Sequence, residues 1–343
     1  MRKAFVTGGT GFLGRRLVEQ LVEQGWSVRA LHRSPKDAER LRALGAEPIE
    51  GDLDTEPALR RGVAGADVVF HSAALFTMWA PYADFEHANV DGTCNLLAAA
   101  KAEQIKRFIQ IGASGVVMGD PKSMNAVTED APLAYPSWAP YLSTKARAQD
   151  LVLRANEPDG MRTTVVLPSL IWGPHMPMLK GVVDAFKAGL FAWPGGGQQV
   201  MSTSYVDNVC RCAMLAAEHA LGGCAYFVTD GEDQTLREII GQLVATEGVD
   251  PKARAVPVGL AWLLATVMEW VWRTFKLRGA PPMTRQQVRM TGYTFTLSDQ
   301  RARTELGYAP VVSFQAGIDA MRLATRTESA RISPQQAKAP LRA

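Results

Sequence analysis

The stretch Lys3-Ala4-Phe5-Val6-Thr7-Gly8-Gly9-Thr10-Gly11-Phe12-Leu13-Gly14 constrains this chain more than any other. A short apolar strand runs into a glycine-rich turn, and a helix is expected from Arg15 to Gln24. Glycines at 8, 11 and 14 permit a tight turn and a close backbone approach. They also aim the first amides of a helix, with its positive dipole end, at an anion such as a diphosphate. The spacing is Gly-x-x-Gly-x-x-Gly, and its weight comes from lying between a strand and a helix. The bland alternative is a strand-to-helix turn that binds nothing.

Downstream the chain alternates strands with helical segments. Ser27-Val28-Arg29-Ala30-Leu31 reads as a second strand, and Ser34-Pro35 opens a helix with serine at the N-cap and proline at N1. Glu47–Glu50, Asp67–His71 and Arg107–Ile111 follow as the third, fourth and fifth strands. This rhythm predicts an α/β fold, a doubly wound parallel sheet with its ligand crevice at the carboxyl ends of the strands. At 343 residues, 47% apolar and 21% charged, the chain has room for one large α/β domain and a smaller region. Basic and acidic residues nearly balance, 37 against 34, with no basic stripe between aromatics, so nucleic acid is not an expected partner.

The strand ends carry the candidate site residues. At the second, His32 and Arg33 stand where a carboxylate would take the ribose hydroxyls of NAD; with arginine there and no acid, NADP(H) is favoured over NAD(H). Asp52, in Gly51-Asp52-Leu53, reads either as an acceptor for an adenine amino group or as an acid opening the helix at Thr55-Glu56-Pro57. Ser72, Ala73 and Ala74 are small enough for backbone to lie against a cofactor, and Ser114 follows the fifth strand. In Tyr141-Leu142-Ser143-Thr144-Lys145, the i and i+4 spacing points a phenol and an amine along one helix face. A nearby ammonium lowers a phenol pKa from its ordinary value of about 10, and such a tyrosine can exchange a proton with a carbinol oxygen while hydride moves to or from nicotinamide.

With those residues the chain resembles an extended short-chain dehydrogenase/reductase of the NAD(P)-dependent epimerase/dehydratase group. Asn89-Val90-Asp91-Gly92-Thr93, which reads as lying ahead of an Ala- and Leu-rich helix to about Ala102, extends the likeness with Leu167 to Pro174 and Tyr205 to Val209 over most of residues 1 to 325. The pattern is similar above all to 3β-hydroxysteroid dehydrogenase-like and dihydroflavonol reductase-like members. The resemblance implies a Rossmann core over 1–170 and a smaller, mostly helical substrate region over 171–325, interleaved with the last core strands. By resemblance, Gly8, Gly11, Phe12, Leu13 and Gly14 hold the diphosphate and Asp52 and Leu53 meet the adenine. Tyr141 is then the acid/base, Lys145 bonds the nicotinamide ribose, Ser114 polarises the substrate carbonyl, and Pro168 and Ile171 line the nicotinamide. The implied reaction interconverts a secondary alcohol and a ketone on a bulky apolar, steroid-, lipid- or polyketide-like molecule. A nucleotide-sugar epimerase or dehydratase and a non-catalytic NAD(P) sensor are the alternatives.

Trp79, Met118, Trp138, His175 and Met176 are the candidate substrate residues, in loops that follow the strands. Residues 256–278 hold three tryptophans with Arg273, Lys276 and Arg278 behind them, and read equally as a membrane-surface helix or a buried packing helix. Cys94, Cys210, Cys212 and Cys224 form no ligand-like cluster, so reduced thiols and no metal are expected. With no leader in view, a reducing cytoplasm is the expected setting, and a homodimer is a possible assembly. Residues 326–343 are polar and basic and read as a loose tail.

Overall fold

The computed structural model describes the backbone of residues 1–336 and the side chains of residues 1–327. The repeat begins with β1 (Lys3–Thr7), α1 (Phe12–Glu23), β2 (Ser27–His32), α2 (Pro35–Ala43), β3 (Glu47–Glu50) and α3 (Glu56–Val63). β4 (Val68–His71), α4 (Tyr82–Glu86), α5 (Gly92–Ala102), β5 (Arg107–Ile111) and α6 (Pro140–Arg154) complete the first half. The strands Arg162–Pro168 and Cys224–Val228 join them in one parallel seven-stranded sheet. Its order places β1 between β2 and β4, so successive strands run outward in both directions from β1. The crevice over the ends of β1 and β4 is where that order reverses, the usual ligand position in an open sheet.

Side chains alternate between two apolar cores, one on each face of the sheet. Ala4 and Val6 of β1 enter one core and Phe5 the other; Phe70 and Val69 of β4 divide the same way. Burial on both faces explains why these strands read as nearly continuous apolar runs.

A second, five-stranded sheet lies outside the repeat. It joins Met124–Val127, which follows β5, to Phe295–Leu297 near the other end of the chain, and Phe295–Leu297 to Val200–Tyr205. The helix Val258–Thr274 buries only Ala261, Ala265 and Glu269, so it is not the buried packing helix that was one of the two expectations. Among the described residues no helix is long and apolar enough to cross a membrane.

Three local expectations need correction. The first helix begins at Phe12 because Gly11 is the last extended residue before it. The segment Asn89–Thr93, expected ahead of a helix, lies inside one, since a π-helical turn at His87–Asp91 joins α4 to α5. The stretch from 326 begins as the end of the helix Phe314–Gln336 instead of a loose tail, and 337–343 lie outside the described residues.

Candidate active site

The glycine turn is shaped by contacts that leave no room for side chains. Gly8 sits at φ 74°, and a Cβ there would stand 2.6 Å from the Ala73 amide nitrogen. A Cβ on Gly14 would collide with the Gly8 carbonyl oxygen. The Gly11 amide donates to that same oxygen at 3.0 Å. Gly14 is therefore the residue that lets α1 lie against the turn, and the exposed edge of Gly11 leaves the helix amides open to an anion. Ser72 and Ala73 form the opposing wall, with the Ser72 amide bonded to the Thr7 carbonyl at 3.1 Å. These small residues fit a dinucleotide diphosphate, because a backbone-lined cradle needs positions without Cβ atoms.

Behind the turn runs a buried polar chain. Thr93 Oγ1 gives its only proton to the Asn89 carbonyl at 2.6 Å, so it accepts from His71 Nε2 at 2.9 Å. His71 Nδ1 then accepts from Thr7 Oγ1 at 2.7 Å. Burial, helped by the charge of Lys145, pushes the His71 pKa down to about 3, so the ring is neutral and holds this tautomer. Asn89 accepts from the Leu75 amide at 2.8 Å and donates to Thr144 Oγ1 at 3.2 Å. The chain thus links β1, β4, the π-helical turn and α6, the elements that carry the glycine turn and Tyr141. Sequence reasoning assigned no role to Thr7, His71, Asn89, Thr93 or Thr144. Their signal was available as polar residues placed where strand or helix patterns call for apolar ones.

Tyr141 and Lys145 lie one turn apart on α6, both buried. Lys145 Nζ donates to the Ile111 carbonyl at the end of β5, at 2.8 Å. Ser114, also buried, opens the short turn three residues further on. Phe76 meets the Tyr141 ring edge-on at 5.0 Å between centroids, and Phe85 meets it at 6.5 Å. In these surroundings burial raises the Tyr141 pKa and lowers that of Lys145 to about 8. The expected lowering of the phenol is thus not found. Burial is what raises the phenol, and the Lys145 amine donates to the Ile111 carbonyl.

The other expected site residues fall into three groups. His32 is buried, with Nδ1 3.0 Å from the Ser34 carbonyl, whereas Arg33 is exposed and close enough to Asp52 for its charge to lower that carboxyl. The largest lowering at Asp52 comes from Thr55 Oγ1, which donates to its Oδ1 at 2.6 Å, so Asp52 does hold the turn that opens α3. Leu53 receives Asn95 Nδ2 on its carbonyl at 2.9 Å and packs over Gly92. Pro168 ends its core strand, and Ile171 lies in Leu170–Trp172 just beyond it. Ala74 is exposed past Ala73.

Among substrate candidates, Trp138 meets Trp262 edge-on at 5.1 Å, and the Arg273 guanidinium lies over the Trp79 ring at 5.2 Å. The helix Val258–Thr274 therefore closes over the loops that follow β4 and β5. Met118 is buried in the core cluster that includes Tyr141, while Met176 joins the opposite cluster with Leu179 and His175 is exposed beside it.

A parallel sheet with a glycine cradle at its switch point, a serine just past the neighbouring strand, and a tyrosine and lysine one turn apart on the helix beside it, defines an extended short-chain dehydrogenase/reductase. Within that class the chain belongs to the 3-beta hydroxysteroid dehydrogenase/isomerase family, whose model matches residues 5–258. It is 42% identical over 323 residues to 4-hydroxy-2-methyl-3-oxo-4-farnesyl-3,4-dihydroquinoline-1-oxide ketoreductase of Stigmatella aurantiaca, covering 94% of this chain and 96% of that one. It is 34% identical to 2-alkyl-3-oxoalkanoate reductase of Stenotrophomonas maltophilia, over 92% of this chain and 97% of the relative. A dTDP-glucose 4,6-dehydratase from Streptomyces venezuelae, solved with NAD bound, shares the fold at TM-score 0.74 and 23% identity, over 96% of this chain and 98% of that one. The chain is an NAD(P)-dependent dehydrogenase/reductase acting on CH–OH and keto groups.

Proposed function

We propose that this enzyme reduces a ketone on a bulky, largely apolar substrate, or oxidises the matching alcohol, with Tyr141 as the proton-transfer group. The observation that carries the reading is Lys145 anchored to the end of β5 with Tyr141 one turn earlier on the same helix. The glycine turn would hold the dinucleotide, and Ser114 and Tyr141 would face the substrate oxygen. When bound, the nicotinamide supplies or accepts the hydride. Because burial raises its pKa, Tyr141 holds its proton at neutral pH and is ready to donate it as a carbonyl becomes an alcohol. Lys145 supplies positive charge behind that donation, and the apolar wall of Phe76 and Phe85 keeps water from competing for the proton. Ketoreductase and oxoalkanoate reductase relatives, named for oxo substrates that bear a farnesyl and an alkyl group, support the substrate class.

The test is turnover of NADPH with a panel of steroid, quinolone and long-chain ketones. Tyr141→Phe should lower kcat by about 10²–10⁴-fold while cofactor binding stays within about threefold. Unchanged turnover removes Tyr141 from the chemistry.

NADP(H) is the favoured cofactor, supported by exposed Arg33 at the end of β2 and by the engagement of Asp52 with Thr55. Arg33→Ala should then weaken NADPH about tenfold and leave NADH unchanged; an equal effect on both would sink the assignment. A membrane-surface contact is the further reading, and the outward apolar face of Val258–Thr274 is what supports it.

A further inference from the structure

Asp230 follows the outermost strand of the main sheet, Cys224–Val228, and is buried at 4% exposure. Four neutral donors surround its carboxylate. Oδ2 accepts from Trp172 Nε1 and Thr203 Oγ1, both at 2.7 Å. Oδ1 accepts from the Tyr205 amide at 2.6 Å and from Asn208 Nδ2 at 2.8 Å. The Asn208 amide cannot turn over, because its Oδ1 takes the backbone amides of Val311 and Val312 at 2.7 and 2.9 Å. Trp172, Tyr205 and Asn208 are thus fixed as donors, and between them they face both oxygens. A carboxylate, which accepts at both oxygens and donates at neither, satisfies them all.

This knot ties down the segment that runs from Pro168 to Trp172. Leu170–Trp172 pairs in parallel with Thr203–Tyr205, Ile171 standing opposite Ser204. Ser204 Oγ accepts from the Ser169 amide at 2.9 Å and donates to the Val228 carbonyl at 2.7 Å. At the other end, two residues before Pro168, the Val166 carbonyl accepts from the Gly112 amide at 2.8 Å, next to Ile111, whose own carbonyl holds Lys145. The segment therefore runs from the Lys145 anchor to Asp230. Adjacent strand residues point to opposite faces, so with Trp172 turned into the knot, half-buried Ile171 faces away from it. The Trp172 ring has no slack. Tyr205 meets it edge-on at 5.0 Å and Phe314 at 4.7 Å, and a Cβ on Gly317 would stand 2.5 Å from its Cη2.

We propose that Asp230 is a positioning residue for the nicotinamide half of the cofactor: through the Trp172 indole it sets where Pro168 and Ile171 stand, and so how the nicotinamide is presented to Tyr141. This rests on the oxidoreductase reading above, with Pro168 and Ile171 as the nicotinamide wall. Asp230→Asn keeps the size of the side chain and is the discriminating change. Its NH2 must face either the Tyr205 amide with Asn208 Nδ2, or Trp172 Nε1 with Thr203 Oγ1. Thr203 alone can turn its hydroxyl to accept, so the NH2 settles on that side and presses against Trp172 Nε1. Trp172→Phe removes the indole N–H and lifts that clash.

The test is calorimetry with two ligands: whichever of NADPH and NADH the wild type binds more tightly, and the matching ADP-ribose, with or without the 2′-phosphate, which lacks the nicotinamide. Asp230→Asn should weaken the dinucleotide by about tenfold or more and the ADP-ribose by less than about threefold. Trp172→Phe alone should weaken the dinucleotide by about threefold, and the Asp230→Asn, Trp172→Phe double variant should return to that level, since the two changes share one contact. A merely structural role would lower both ligands alike. Equal losses on the two ligands, no loss on either, or a double variant no better than Asp230→Asn would overturn the proposal. Ketone reduction is followed in parallel. A wild type that reduces no ketone removes the oxidoreductase reading, whereas the contrast between ligands is read without turnover and decides the role of Asp230 separately. Should Asp230→Asn not fold, Trp172→Phe decides: a loss confined to the dinucleotide supports the proposal, and an equal loss or none rejects it.

Discussion

His71 shows how much one neutral ring can hold. It accepts from Thr7 and donates to Thr93, and protonation would leave Nδ1 with a proton facing a hydroxyl that already donates. Its pKa of about 3 in the folded chain lies below the ordinary value of 6.5, so between those values the unfolded chain binds more protons. Stability contributed here is present above pH 6.5 and is lost as pH falls toward 3. Thermal unfolding followed from pH 7 to pH 4 should therefore show a steep loss in wild type. His71→Asn should start less stable and fall less over the same range. Parallel curves would show that another group controls acid unfolding. Lys145 has the same direction of shift but a different window. Its folded pKa near 8 against 10.5 means that its ammonium is held at a cost which eases as pH rises through that range. Ketone reduction that depends on this charge should decline above pH 8 in wild type, and Lys145→Met should lose both the activity and that inflection.

At the scale of elements, the join between β1 and α1 is the most exacting. Gly14→Ala sets a methyl group into the Gly8 carbonyl, so α1 must move away from the turn. Dinucleotide affinity should fall by about tenfold or more with a modest drop in melting temperature, measured by calorimetry and thermal unfolding side by side. A second tie fixes α1 from its other side, where Arg16 Nε and Nη2 reach the two oxygens of Asp207 at 2.7 and 2.9 Å. This was also the scale at which the sequence spoke most clearly. The five strands, the Ser34 cap and the Tyr141–Lys145 face follow from spacing alone, because period and capping are local. The π-helical turn at His87–Asp91 was not legible. Its irregular hydrogen bonding serves Asn89 and its reach to Leu75 and Thr144, partners 14 and 55 residues away. The phenol pKa was misjudged because spacing reports the nearness of an amine and not the depth of burial.

For the whole molecule, the unusual surface is the helix Val258–Thr274. It turns small residues, Ala261 and Ala265, toward Val288 and leaves Leu263, Trp270 and Phe275 about 60% exposed, at 59%, 60% and 63%. Glu269 pins it from within, accepting from the Arg285 amide at 2.7 Å and its guanidinium at 2.8 Å. We propose that these outward apolar residues, with Arg273, Lys276 and Arg278 beside them, meet the boundary of an anionic bilayer. Sedimentation with vesicles should show binding to phosphatidylglycerol-containing membranes over neutral ones, lost in a Leu263→Ser, Trp270→Ser double variant. A variant that instead dissociates a dimer, with no change at vesicles, would assign this face to a second copy.

The second sheet has a consequence for how the polypeptide can be divided. Phe295–Leu297 zips onto Met124–Val127, while Cys224–Val228 supplies the outermost rung of the main sheet beside Arg162–Pro168. Each half thus lends a strand to the other, like two hands with fingers laced. A protease nick in the exposed bend at Gly189-Leu190 should leave a pair of fragments that elute together from a sizing column, and neither fragment expressed by itself should stay in solution.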